Sequence, residues 1–142
     1  MIRSVLTLAG LTAALVLSGC ASQEPAKPVS KEAAAAAAAS DAALAAKLKG
    51  NWAGDWSLPG FGSGKFELIV TEVNGTDVKG NANWYGTAAG DTKAPLNSAT
   101  VQNGQLVAKQ GSAVIKLSPK GDNTLAGTWE NSGYSGPLTV KR

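Results

Sequence analysis

The chain has 142 residues, with 13 Lys/Arg against 10 Asp/Glu, no His and a single Cys. Those counts exclude internal disulfides, thiolate or imidazole metal sites, and any Ser-His or Cys-His catalytic pair. Residues 50–142 are nearly balanced in charge, with eight Lys/Arg and seven Asp/Glu and no basic run interleaved with aromatics, so nucleic acid is not an expected partner.

Met1-Ile2-Arg3 is a short positive start, and 5–17 is a mostly apolar run of 13 residues. A bilayer-spanning helix needs about 20 such residues, whereas this length suits the core of a signal peptide. The run ends in Leu17-Ser18-Gly19-Cys20, which resembles the lipobox of bacterial lipoproteins. The resemblance implies that 1–19 is a lipoprotein signal peptide. It also implies that the Cys20 thiol takes a diacylglyceryl group, with cleavage before Cys20 and often acylation (palmitate, for example) of the new amino group. Each buried methylene stabilises the anchor by roughly 0.8 kcal/mol, so two or three acyl chains hold firmly where one does not. Residue 21 is Ala, not the Asp that resembles an inner-membrane retention signal. In an organism with two membranes, the periplasmic face of the outer membrane is therefore the expected address.

Residues 20–49 read as the lipidated cysteine and a tether. The stretch 21–30 contains Pro25 and Pro28 among small polar residues and stays extended or flexible. The stretch 31–49 is rich in Ala and strongly helix-forming, with Ser30 and Glu32 at its start and Lys47 and Lys49 at its end. Gly50 stops it. No heptad continues from the Leu44/Leu48 pair, so the helix reads as a spacer rather than a coiled coil.

From residue 50 the hydrophobic period becomes two. Trp52, Gly54 and Trp56 alternate with Asn51, Ala53 and Asp55, and Phe66, Leu68 and Val70 alternate with Lys65, Glu67 and Thr71. The same alternation returns through Val78–Trp84, Ala113–Leu117, Leu125–Trp129 and Leu138–Val140, as expected for antiparallel sheet with one polar face. Asn74-Gly75 and Asn103-Gly104 carry two-residue type I′ hairpin signals. About eight strands follow: 51–57, 64–72, 76–85, 98–102, 105–109, 112–118, 124–130 and 135–141. The predicted domain, 50–142, is all-β, a small up-and-down antiparallel barrel. The stretch 86–97 is expected to be a loop over one mouth. A membrane-spanning barrel is not expected, because most strands are shorter than about 9–11 residues and their outer faces carry Lys, Glu, Asp, Asn and Thr.

Gly50-Asn51-Trp52, with Lys141-Arg142 closing the last strand, resembles the calycin pattern of lipocalins and avidins. That pattern implies an indole near the barrel floor beneath a basic residue from the final strand. Leu125–Trp129 followed by Gly136–Arg142 is similar to the ending of a small bacterial β-domain often fused ahead of hydrolase domains. That module implies no activity.

Trp52, Trp56, Trp84 and Trp129 lie in phase with the apolar faces. They either fill the core or, where small inward residues such as Gly54, Gly80 and Gly127 leave room, line a cavity for a hydrophobic or sugar ligand. Ser132-Gly133-Tyr134 reads as a turn. It also bears a partial resemblance to the Ser-Gly-x-x-Tyr loop of periplasmic lysozyme inhibitors, one residue short, which makes it a candidate partner loop. No carboxylate pair is fixed by any motif, and 58–64 is glycine-rich but precedes a strand, so neither glycosidase nor phosphate-loop chemistry is indicated. The expected function is that of a non-enzymatic, membrane-anchored envelope lipoprotein without metal or cofactor. Its barrel binds a small hydrophobic or saccharide ligand or an envelope protein. The alternatives are a structural accessory barrel and an inhibitor of a cell-wall hydrolase.

Overall fold

A computed structural model describes residues 31–142. The segment 1–19, expected to be a signal peptide, the expected lipidation site Cys20 and the stretch 21–30 lie outside the described residues. A helix, α1 (Lys31–Leu48), leads into nine strands: β1 (Gly50–Leu58), β2 (Gly62–Asn74), β3 (Asp77–Thr87), β4 (Gly90–Pro95), β5 (Ser98–Gln102), β6 (Gln105–Gln110), β7 (Ala113–Gly121), β8 (Thr124–Asn131) and β9 (Tyr134–Lys141). Every pairing is antiparallel, and the order β1-β2-β3-β5-β6-β7-β8-β9 closes on itself through β9 and β1. The result is the small all-β barrel of eight strands that the period-two pattern predicts. The β4 strand is an extra arm lying along β3.

The inward set is the one the alternation marks: Trp52, Phe66, Leu68, Val101, Leu106, Ile115, Leu117, Leu138 and Val140 are buried in a single core. The Asn103-Gly104 turn forms as expected. Both residues have positive φ (53° and 73°), and Val101 faces Leu106 while Ala99 faces Ala108. At the other predicted turn the register differs. Asn74 pairs with Asp77, so the loop is Gly75-Thr76, with the positive φ of 61° on Gly75 alone. The cause is a β-bulge between Val70 and Glu72. The extra residue flips the parity of the strand, so that Val73 packs on the core instead of Glu72.

The stretch expected to be a loop, 86–97, is instead a hairpin arm. The β3 strand runs on to Thr87, and β4 returns along it from Thr87↔Gly90 to Asn81↔Pro95. Most of the β4 side chains are exposed, so no hydrophobic alternation announces this strand. It is held by main-chain pairing and by Gln110, whose Nε2 donates to the carbonyls of Ala82 and Ala94.

The end of α1 is part of the barrel's core rather than a detached spacer. Ala45 and Leu48 are fully buried, while residues 31–40 are exposed. Asp41 accepts the backbone N–H groups of Asn103 and Gly104 at 2.9 and 2.7 Å. Two successive left-handed residues present adjacent N–H groups, a natural cradle for a carboxylate. The last carbonyls of the helix are also taken: Leu48 accepts the Trp52 indole N–H at 2.7 Å, and Lys47 accepts Arg142 Nη1 at 2.7 Å. The Arg142 guanidinium sits 4.7 Å from the centroid of the Trp52 ring. Helix, indole and final-strand arginine together close this end. No helix among the described residues is long and apolar enough to cross a membrane.

Candidate functional site

The opposite end is closed by aromatic side chains. Trp56, Trp84 and Trp129 form a triangle with ring centroids 6.4, 5.9 and 5.8 Å apart, and Phe66 packs on Trp84 at 4.5 Å. These tilted and edge-to-face contacts are the favoured aromatic geometries. Each indole N–H has a partner: Trp56 donates to the Tyr85 carbonyl at 3.0 Å, Trp129 to the Ser57 carbonyl at 3.0 Å, and Trp84 to Gln110 Oε1 at 2.7 Å. The four tryptophans are therefore buried and satisfied, with at most 8% of their surface exposed. No buried side-chain nitrogen or oxygen among the described residues lacks a hydrogen bond.

The inward glycines do not add up to a lumen. A Cβ placed on Gly54 would lie 1.8 Å from the Thr139 carbonyl oxygen, on Gly80 1.9 Å from that of Ile69, and on Gly127 1.8 Å from that of Lys116. The space that a side chain would occupy is already taken by the neighbouring strand. Glycine at these positions lets strands approach and bend in a narrow barrel.

What this end presents is on its outside. Phe61, in the β1–β2 loop, is 80% exposed and Tyr134, at the start of β9, is 54% exposed. The two rings meet edge to face, with centroids 6.3 Å apart and planes at 74°. Beside Tyr134 lies a groove of about 180 Å³ lined by Ser112, Glu130, Asn131, Ser132 and Ser135. Asn131 Oδ1 accepts the hydroxyls of Ser112 at 2.6 Å and Ser132 at 3.0 Å. Ser132 has a φ of 51°, and Asn103 is the other non-glycine described residue in that region. Of the candidate residues read from the sequence, Ser132, Gly133 and Tyr134 thus sit on this rim, and the tryptophans lie beneath or away from it. The Phe61–Tyr134 pairing was not read from the sequence. Its signal is the closure of β1 on β9, with Trp56 opposite Leu138, which makes the β1–β2 and β8–β9 loops neighbours.

Two other features are surface elements. Glu67, Asn83, Tyr85 and Lys93 form a cluster on the outer face of β2–β3–β4. Tyr85 Oη donates to Glu67 Oε2 at 2.7 Å, Asn83 Nδ2 donates to the same oxygen at 3.1 Å, and Lys93 Nζ lies 5.2 Å from the Tyr85 ring centroid. The Tyr85 hydrogen bond, then that of Asn83, lowers the pKa of the Glu67 carboxyl from its ordinary value. A larger groove, about 380 Å³, runs between Ala42 and Ala46 of α1 with Lys49 just after it, and Glu72, Val73 and Gly75 of the β2–β3 hairpin. It is the seam left where small helix residues face a bulged strand. No group of three or more potential metal-ligating side chains occurs among the described residues. No protein-family model matches the sequence, and no curated protein matches it.

Proposed function

We propose that this protein is a lipid-anchored lipoprotein of the cell envelope whose barrel works through its outer surface, as a non-catalytic binding module. The anchor reading rests on Leu17-Ser18-Gly19-Cys20 after an apolar run of signal-peptide length. The observation that carries the surface reading is the triangle of Trp56, Trp84 and Trp129 across the interior at centroid spacings of 5.8–6.4 Å. A ligand-holding barrel needs a concave apolar volume, and here that volume is filled with hydrogen-bonded indoles. The exposed ring pair and groove at this end offer the contact surface. The chain enters the barrel at the other end through α1, so a lipid on Cys20 leaves the Phe61–Tyr134 rim on the far side of the barrel from the helix seat.

A second reading, inhibition of a cell-wall hydrolase, is favoured by one feature: Tyr134 stands exposed directly after the Ser132-Gly133 turn. The test of the anchor is metabolic labelling of the full-length chain with radioactive palmitate. Labelled, membrane-bound protein is expected from the wild type, and Cys20→Ser should lose both label and membrane retention. Label that persists in Cys20→Ser would refute the assignment.

A further inference from the structure

The rim residues share a chemistry more specific than general stickiness. Two exposed aromatic rings, set at 74° to each other, leave ring faces open to solvent in an angular notch. The adjoining groove is lined by the hydroxyls of Ser112, Ser132 and Ser135, one amide (Asn131) and one carboxylate (Glu130), with Val114 and the Tyr134 ring as its apolar part. Within it, Asn131 spends its carbonyl oxygen on the Ser112 and Ser132 hydroxyls, and no described residue accepts from its Nδ2. Glu130 has Lys116 as its cation, at a loose 3.7 Å. The groove thus offers both donors and acceptors, close to net neutrality.

We propose that this notch binds a saccharide chain, with a pyranose ring stacked on Phe61 or Tyr134 and its hydroxyls hydrogen-bonded in the Ser112–Asn131–Ser132–Ser135 groove. A pyranose has a flat face of C–H groups edged by hydroxyls, and an aromatic ring beside a mixed donor and acceptor groove complements both. A phospholipid surface would call for cations around the rings, and the groove lining contains none. A long apolar ligand would need continuous apolar lining, which serines and Asn131 deny it. Ser132 and Gly133 form the two-residue turn between the paired Asn131 and Tyr134, with positive φ at both, and the turn places the Ser132 hydroxyl against Asn131.

This inference rests on the surface reading above, and its failure is separable from failure of the anchor, which palmitate labelling reports. The lipidated protein, purified in a detergent without a sugar headgroup, is titrated calorimetrically with the hexasaccharide of β-1,4-linked N-acetylglucosamine and, in parallel, with a proline-rich peptide. Saturable binding of the saccharide is expected. Phe61→Ala and Tyr134→Ala should each weaken it at least about tenfold, as removal of an aromatic anchor does. Ser132→Gly relaxes the positive φ and removes only the hydroxyl. It should keep or raise the urea midpoint while weakening binding, a split that a purely structural serine would not produce. Absence of saturable binding by the wild type, binding indifferent to both aromatic substitutions, or binding of the peptide in place of the saccharide would each overturn the proposal.

Discussion

Replacing Asp41 with Ala should cost the protein about 2–4 kcal/mol, although the change turns one residue of an alanine-rich helix into another alanine. The carboxylate accepts two backbone N–H groups at 2.9 and 2.7 Å, and a hydrogen bond to a charged group contributes about 1.5–3 kcal/mol. Part of that returns, because the turn N–H groups regain water once the helix lifts. The gain in helix propensity from Asp to Ala offsets roughly 0.5 kcal/mol more. The remainder is a large share of the about 5–15 kcal/mol that holds a small domain folded. Loosening the helix also uncovers Leu48 and Ala45, which are buried against the barrel floor, and takes away the Leu48 carbonyl that the Trp52 indole uses. Urea unfolding followed by tryptophan fluorescence measures the loss. Hydrogen exchange of the amides of 41–48 shows whether the helix itself has opened. An unfolding free energy within about 0.5 kcal/mol of wild type, the range of ordinary surface changes, would refute the view that α1 belongs to the barrel.

Other expectations follow from the same geometry. Trp129→Ala opens the indole triangle and should cost about 3–5 kcal/mol, whereas Phe61→Ala should change stability by no more than about 0.5 kcal/mol; equal losses in urea unfolding would contradict the assignment of inside and outside. Gly54→Ala should cost about 1–3 kcal/mol or more, since its Cβ would meet the Thr139 carbonyl at 1.8 Å, and hydrogen exchange should show the β1–β9 seam loosening first. Tyr85→Phe removes the strongest of the hydrogen bonds that lower the Glu67 pKa, so an NMR pH titration should find that carboxyl moved up toward its ordinary value. The sign is that of a depressed carboxyl: its contribution is present above the unfolded-state pKa and fades as pH falls through the lower folded-state value. A Glu67 titration unchanged by the substitution would show that the tyrosine does not set it.

The strands were legible where side chains carry the pattern. At Ala99–Val101 and Leu106–Ala108 the parity and the Asn103-Gly104 turn agree, and the hairpin forms in the register they dictate. The β4 strand was illegible because Asp91, Thr92 and Lys93 all face water, and only main-chain pairing to β3 makes it a strand. The register of β2–β3 turned on a bulge at Thr71, where the sequence offers a plausible Asn74-Gly75 turn one residue away from the real one. The role of Asp41 has no local signal in the sequence, because its partners are N–H groups 62 and 63 residues along the chain. The candidate site was visible only in halves. Tyr134 belongs to the candidate loop 132–134 and Phe61 to the glycine-rich stretch 58–64, and it takes the closure of β1 on β9 to bring them together.

Whether the barrel has a lumen for a ligand or acts through its rim is read directly from the indole N–H resonances of Trp52, Trp56, Trp84 and Trp129, since each proton is fixed in a hydrogen bond to Leu48, Tyr85, Gln110 or Ser57. Two-dimensional NMR during titration with a long-chain fatty acid should leave all four signals in place and slow to exchange. Shifts of the Trp56, Trp84 and Trp129 indole signals that saturate with added fatty acid would mean that the triangle opens to admit a ligand, and would contradict the account.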